Sequence, residues 1–298
     1  MDARHLELLR ELDDRGSVTA VATATRRTPS AVSQQLRTAQ RELGVPLVEP
    51  AGRGLRLTEA GRVLARAGRD VATALERAQS EWDEFRGVAT GSVAVAALPS
   101  AATFLLPGVL DELADLPITV RCNDIDIAEV EFGAQVIDHD IVIAHSMTSR
   151  APAGTAGLVT KRLVREPLDI AMAADHPLAR QSHVTATDLV DQEWIGVLVG
   201  YPFDAVLQAI VRKTRADLRI SQRLRDNRLI EALVASSHRV AVLPRFTTPQ
   251  TDSLVLRPLA DIPTGRHVFA VLRPDRAERL AVRRVLAAFV TVASRIDE

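Results

Sequence analysis

Five side chains between residues 30 and 41 can make the hydrogen bonds that the edges of stacked bases offer. Ser30, Ser33, Gln34, Arg37 and Arg41 recur at spacings that share one side of a helix. An amide or a guanidinium can bond twice to one base edge, worth about 1–3 kcal/mol of discrimination per good pair. Taken alone, the same face suits an ordinary solvated helix equally well.

Other chemistry finds less support. The sequence has no Gly-rich phosphate loop and no G-x-S-x-G elbow, and His176, His183, His238 and His267 share no i, i+4 spacing with another ligand type. Cys122 is the only cysteine, which excludes an intramolecular disulfide and a multi-Cys zinc site. Its setting, Ile118 to Cys122, reads as a strand carrying a packed thiol, with redox sensing as the lesser option. No enzyme, metal or cofactor is expected.

The element that must position the five polar groups is a helix of about four turns. Thr28 is a suitable N-cap, Pro29 suits the first turn, and nothing breaks the run before Gly44. Ala31, Val32, Leu36, Ala39 and Leu43 are expected to pack inward. Ahead of it, Leu6, Leu9 and Leu12 form an apolar stripe, Gly16-Ser17 a turn, and Val18 to Thr25 a short piece whose Ala20, Ala22 and Ala24 allow two helices to cross closely. After it, Leu47-Val48 and Leu55-Arg56-Leu57 flank a hairpin tip at Ala51-Gly52-Arg53-Gly54. That is a wing whose Arg53 and Arg56 can lie along a phosphate backbone or in a narrow minor groove.

The charge agrees with that partner where it matters. The chain has 298 residues and a net charge of -1, yet residues 26–62 hold seven arginines against three glutamates. A hydrophobic fraction of 47% with 25% charged residues is ordinary for a globular protein. The N-terminus has no apolar signal core, and the uncharged stretch between Arg86 and Asp111 is cut by Pro99, Pro107 and Gly108. A cytoplasmic protein with no membrane partner is expected.

From Thr58 to Arg86 the pattern is helical again. Leu64, Gly68, Val71, Leu75, Ala78, Trp82 and Phe85 alternate spacings of four and three, a heptad seam that a second copy of the helix could bury. The alternative is that this stripe packs on the rest of the same chain. Beyond it, strands are expected at Val93–Leu98, Ile118–Cys122, Asp140–Ala144, Leu158–Val164, Leu168–Ala173, Leu218–Leu224, Val240–Leu243, Leu254–Leu259 and His267–Leu272. Helices are expected at Thr103–Leu113, Ala128–Val136, Phe203–Thr214, Leu229–Ala235 and Arg276–Arg295. This β-α-β order predicts an α/β architecture of two lobes with parallel sheets and a crevice at the strand C-termini.

The head resembles the N-terminal domain of LysR-type transcriptional regulators. The residues that carry the resemblance are Gly16-Ser17-Val18, Ser30-Ala31-Val32-Ser33, Leu43-Gly44-Val45-Pro46-Leu47 and Leu57-Thr58-Glu59-Ala60-Gly61. Thr25, Ala39-Gln40, Val48 and Pro50 depart from the family's usual residues, and Pro50 removes an arginine that would contact the DNA backbone. The later half is similar to the family's effector part through Leu105-Leu106-Pro107, Glu166-Pro167-Leu168, Asp175-His176-Pro177-Leu178 and Val240-Ala241-Val242-Leu243-Pro244, with Ser236-Ser237-His238 as a departure.

The resemblance implies a winged helix-turn-helix over residues 1–60, a linker helix over 61–88 that pairs two heads, and a periplasmic-binding-protein-like effector domain over 89–298. Lobe I would take about 91–162 and 267–298, and lobe II about 163–266. It implies homodimers or homotetramers reading a pseudo-palindromic site on double-stranded DNA, contact with RNA polymerase in an activator, and a small-molecule effector between the lobes. The DNA contacts would come from Thr28, Pro29, Ser30, Ser33, Gln34, Arg37, Arg53 and Arg56.

At Leu98-Pro99-Ser100-Ala101-Ala102-Thr103 a strand ends and a helix opens, so free N–H groups of Ser100 and Ala101 and the hydroxyls of Ser100 and Thr103 suit an anion. Plain N-capping by either hydroxyl is the alternative. By the resemblance, His145 and Ser146, Gly200-Tyr201-Pro202-Phe203 and Asp226-Asn227 line the same cleft, Tyr201 and Phe203 either stacking on a ring or closing the core. Two rivals are a solute-binding or enzymatic α/β protein with a protein-contact head, and a DNA binder whose lobes hold no ligand.

Overall fold

The computed structural model describes residues 2–297 except 53, 126, 128 and 149. These fall into two compact units, Met1–Gly91 with Leu272–Arg283, and Ser92–Val271 with Arg284–Glu298.

In the first unit, α1 (Ala3–Arg15), α2 (Val18–Ala24) and α3 (Pro29–Leu43) each begin on a side-chain cap, Asp2, Ser17 and Thr28. α1 and α3 end on Gly16 and Gly44, both at φ 71, a left-handed conformation in which a Cβ is unfavourable. Leu8, Leu9 and Leu12 of α1, Val21 and Ala22 of α2, and Val32, Leu36 and Ala39 of α3 close one core. Ala31 is exposed rather than inward, because it lies about 100° round the helix from that stripe. Ala24 is exposed too, so Ala22 and Val21 make the close crossing.

The wing is β1 (Val48–Ala51) paired antiparallel with β2 (Gly54–Leu57), Val48 opposite Leu57 and Ala51 opposite Gly54. The Gln40 side-chain oxygen accepts the Leu47 N–H at 2.9 Å and fixes the entry to the wing.

Next comes α4 (Glu59–Phe85), capped by Thr58, whose hydroxyl accepts the Gly61 N–H at 3.1 Å. It lies against α1 so closely that a Cβ on Gly68 would stand 2.5 Å from the Leu6 carbonyl oxygen. The expected seam therefore divides. Gly68 is buried and Leu64 packs on the core of this unit, whereas Val71, Leu75, Ala78, Trp82 and Phe85 are exposed. The segment Leu272–Arg283 completes the unit through ion pairs of Asp275 with Arg10 (3.1 Å), Arg273 with Asp14 (3.2 Å) and Glu278 with Arg77 (2.9 Å).

The second unit begins with β3 (Gly91–Ala97), α5 (Pro99–Glu112), β4 (Ile118–Asp124), α6 (Phe132–Gln135), β5 (Ile141–Ser146) and β6 (Val159–Glu166). There follow β7 (Leu168–Ala173), β8 (Glu193–Gly196), α7 (Asp204–Thr214), β9 (Arg219–Arg223), α8 (Asn227–Ala235), β10 (Ala241–Pro244), β11 (Leu254–Arg257) and β12 (Arg266–Leu272). The chain closes with α9 (Pro274–Glu278) and α10 (Leu280–Asp297), two helices where one was expected. The break falls at Arg279, which has extended backbone.

One lobe is built on a five-stranded sheet ordered β4-β3-β5-β12-β6, the other on β10-β7-β11 beside the pair β8-β9. The expectation of parallel sheets holds for β3 with β5 and β8 with β9 but not for β12, which runs antiparallel to β5, nor for β7 with β10 and β11. The unpredicted β8 follows from Trp194 and Ile195, whose side chains are almost fully buried in the second lobe's core. β7 lies between β10 and β11 and is antiparallel to both, although β8, α7, β9 and α8 intervene before the chain returns to it.

Candidate functional site

Two regions carry chemistry. On α3, Thr28 accepts the Ala31 N–H at 3.2 Å and its hydroxyl lies 2.9 Å from that of Ser30. Thr28, Pro29, Ser30, Gln34 and Arg37 are exposed and Ser33 is half-buried. The structure thus brings Ser30, Ser33, Gln34 and Arg37 onto one accessible side of α3, with Thr28 and Pro29 exposed at its N-terminal end, where the helix dipole is positive. Arg37 donates from Nε and Nη2 to the Gln34 side-chain oxygen, at 3.2 and 2.8 Å. The amide and the guanidinium face solvent as a joined pair. In the wing, Arg56 donates to Glu49 across the strands at 2.7 Å, so its charge is largely compensated. Arg53 lies outside the described residues.

The second region is a cavity of about 420 Å³ in the second unit, lined from both lobes. Ser100, Thr103, His145, Tyr201, Asp226 and Asn227 all line it. Ala101 does not, being fully buried in the core one position further along α5, and Gly200 is exposed outside it. The helix expected from Thr103 starts at Pro99, which places Ser100 in its first turn, and no side chain caps that turn. The Thr103 hydroxyl bonds back to the Pro99 carbonyl at 2.9 Å. His145 and Ser146, expected just past a strand, are the last residues of β5 and are buried.

Arg266, the first residue of β12, was not anticipated and organises the cavity. It is 3% exposed, donates from Nε to the fully buried Glu166 at 2.7 Å, and donates from Nη2 to the Ser100 hydroxyl at 2.7 Å. Burial pushes the Glu166 carboxyl up, against the pull of Arg266. Its guanidinium also sits over the Phe203 ring, 5.5 Å from the centroid, so Phe203 serves the wall and the core at once. A local signal existed in the Glu166 and Arg266 charges just ahead of the apolar runs Leu168–Ala173 and 268–272, but their separation of 100 residues hid the pairing.

Val268 pairs with His145 and His267 with Ser146. Arg266, two residues before Val268, is therefore the diagonal neighbour of His145 on the same face of the sheet. His145 is 4% exposed and packs across the Phe132 ring at 5.1 Å. Burial, and then the Arg266 charge, hold its imidazole down to about 3, so it is neutral. On the far wall Asp226 caps α8 by accepting the Leu229 N–H at 2.7 Å, Arg228 pairs with Glu231 at 2.9 Å, and Arg225 lies over the Tyr201 ring and donates to its hydroxyl. Arg225, Arg228 and Glu231 are further cavity residues that sequence reasoning missed.

Among the described residues no helix is long and apolar enough to cross a membrane, and no group of three metal-ligating side chains occurs.

Residues 3–62 match the family model for the bacterial regulatory helix-turn-helix protein, lysR family, and residues 86–294 match that for the LysR substrate binding domain. The transcriptional dual regulator GltC of Bacillus subtilis (strain 168) is 23% identical over 284 residues, 93% of this chain and 92% of its own. Full-length CbnR complexed with its target DNA is 18% identical with a TM-score of 0.53, over 98% of this chain and 100% of that one. The regulatory domain of CcmR from Synechocystis PCC6803, in complex with 2-PG, is 19% identical with a TM-score of 0.58, over 70% of this chain and 99% of that one.

Proposed function

The chain belongs to the LysR family of bacterial regulators, and from that premise we propose that it reads a pseudo-palindromic site on double-stranded DNA and responds to a small, anionic effector in the cavity. The observation that carries the DNA reading is the exposed Gln34–Arg37 pair on the outer face of α3, in a helix-turn-helix whose inner face packs on the core through Val32, Leu36 and Ala39. Residues 1–60 form the DNA-binding head in this reading, 61–88 the linker helix and 89–298 the effector domain. CbnR, bound to DNA in its solved complex, and CcmR, bound to 2-PG, support the two halves of the reading. The reading assigns the chain no reaction and places it in the cytoplasm.

The exposed stripe Val71, Leu75, Ala78, Trp82 and Phe85 supports pairing of two heads through α4, because five apolar positions at heptad spacing stand uncovered on one long helix. Effector control is then a population shift between assemblies, which requires the effector to bind one of them better.

Footprinting on the intergenic DNA beside the gene tests the reading. Wild type should protect a two-part site, and Arg37→Ala should weaken that site by about 1–3 kcal/mol relative to random DNA. Absence of any protected site at low salt overturns the DNA reading. Leu75→Glu should shift the oligomer toward monomer in light-scattering chromatography, and an unchanged mass removes α4 as the pairing element.

A further inference from the structure

Both ring nitrogens of His145 are buried with no hydrogen-bond partner among the described residues. A polar group held dry in this way carries its full desolvation cost with no return, yet this one sits in the wall of the cavity. We propose that His145 is the specificity-determining group of that cavity, and that the molecule it selects is a small monocarboxylate with a hydroxyl or keto oxygen close to the carboxylate. The inference rests on the reading of the cavity as an effector site.

The carboxylate end follows from the groups beside the imidazole. Arg266 spends Nε and Nη2 on Glu166 and Ser100, and these contacts leave out Nη1. Ser100, as the acceptor of that bond, keeps its own hydrogen to donate, and the uncapped first turn of α5 adds backbone N–H groups. The second oxygen follows from the register. As diagonal neighbours on one face of the sheet, Arg266 and His145 have Cβ atoms about 7–8 Å apart or somewhat less. One short molecule with its carboxylate on the guanidinium therefore has its next carbons at the imidazole. A neutral imidazole offers one N–H and one lone pair, which match a hydroxyl or a keto oxygen and not a second charge.

The far wall adds no net charge, since its Arg225 and Arg228 are matched in number by Asp226 and Glu231. Phe132, packed across His145, lines the cavity beside it.

Calorimetry and thermal melting of the full-length protein with phenylacetate, mandelate and phenylpyruvate test this. Mandelate or phenylpyruvate should bind wild type about tenfold more tightly than phenylacetate, the factor that one buried hydrogen bond supplies. His145→Phe should bring the three acids within about twofold of one another and should raise the melting temperature of the protein without acid, because it removes an unpaired polar group. A structural role for His145 predicts a lower melting temperature instead. His145→Gln, which keeps a donor and an acceptor, should retain a preference and serves if the phenylalanine variant does not fold. Equal binding of the three acids to wild type, or a preference that survives in His145→Phe, overturns the role of His145 and leaves the cavity as a carboxylate site. No binding of any of the three takes down the carboxylate reading and the inference with it.

Discussion

The outer face of α3 and the cavity beside β5 and β12 each offer an arginine for recognition, and they hold it in opposite ways. Arg37 is exposed and restrained by one neutral amide a turn away. Arg266 is 3% exposed and locked by a carboxylate that solvent does not reach. An exposed side chain must lose rotamer freedom when its partner arrives, whereas a buried one lost it on folding. A long duplex can offset the first arrangement with many contacts, each adjustable. A small molecule offers few, so its site has to be fixed beforehand.

The sharpest way to break this contrast is to remove the buried arginine. Arg266→Met leaves Glu166 without its partner in a dry wall, and should destabilise the protein by about 3–5 kcal/mol in urea unfolding. Adding Glu166→Leu should recover most of that loss, because replacing a whole buried pair by apolar groups is often neutral. The matching change on α3, Arg37→Ala, should move stability by no more than about 0.5 kcal/mol. Equal losses from Arg266→Met and Arg37→Ala would mean that the two arginines are held alike.

The same contrast explains what the sequence disclosed. Ser30, Gln34 and Arg37 were legible because one helix places them, its period fixes their common face, and Thr28 and Gly44 mark its ends. The winged head and most strands and helices of the lobes were legible for the same local reasons, β8 and the break at Arg279 excepted. Ser100 is separated by 166 residues from Arg266, to which it is bonded, and only the sheet order β3-β5-β12, with α5 following β3, brings them together. Periodicity also cannot say which partner covers a stripe, so the seam on α4 was read as one surface although α1 takes the part around Gly68. The direction of β12 depended on a crossover that no local pattern encodes.

A smaller test concerns His145, the neutral member of the buried group. Its folded value lies near 3 against an ordinary 6.5, so below about pH 6.5 the unfolded chain binds a proton that the folded chain refuses. Titration of this histidine therefore leaves stability unchanged above that pH and lowers it on acidification, by about 1.4 kcal/mol for each pH unit. Glu166, pushed up by burial, acts in the opposite sense, since its folded form takes up a proton first. The difference between wild type and His145→Phe isolates the histidine. Relative to its value at neutral pH, that difference should move against wild type by about 2 kcal/mol near pH 5. Parallel curves would show that the imidazole takes up its proton alike in the folded and unfolded chain, and the contrast with the solvated α3 face would narrow.

The wing supplies the smallest effect and separates charge from structure. Arg56 and Glu49 face each other across β1 and β2 with both side chains exposed, 68% and 44%, and such a pair contributes about 0–1 kcal/mol to folding. Glu49→Ala should therefore leave the melting temperature nearly unchanged. Its effect on DNA is different, because the glutamate neutralises the arginine that would otherwise meet a phosphate. Freed of it, Arg56 should tighten binding to every sequence at low salt and steepen the dependence of affinity on salt by up to about one ion released. The gain should fade as salt rises, since the counterions released by each phosphate contact are worth less at higher salt. A gain confined to one DNA sequence would place Arg56 on a base edge instead, and the wing would then belong with α3 as a reading element rather than with the backbone.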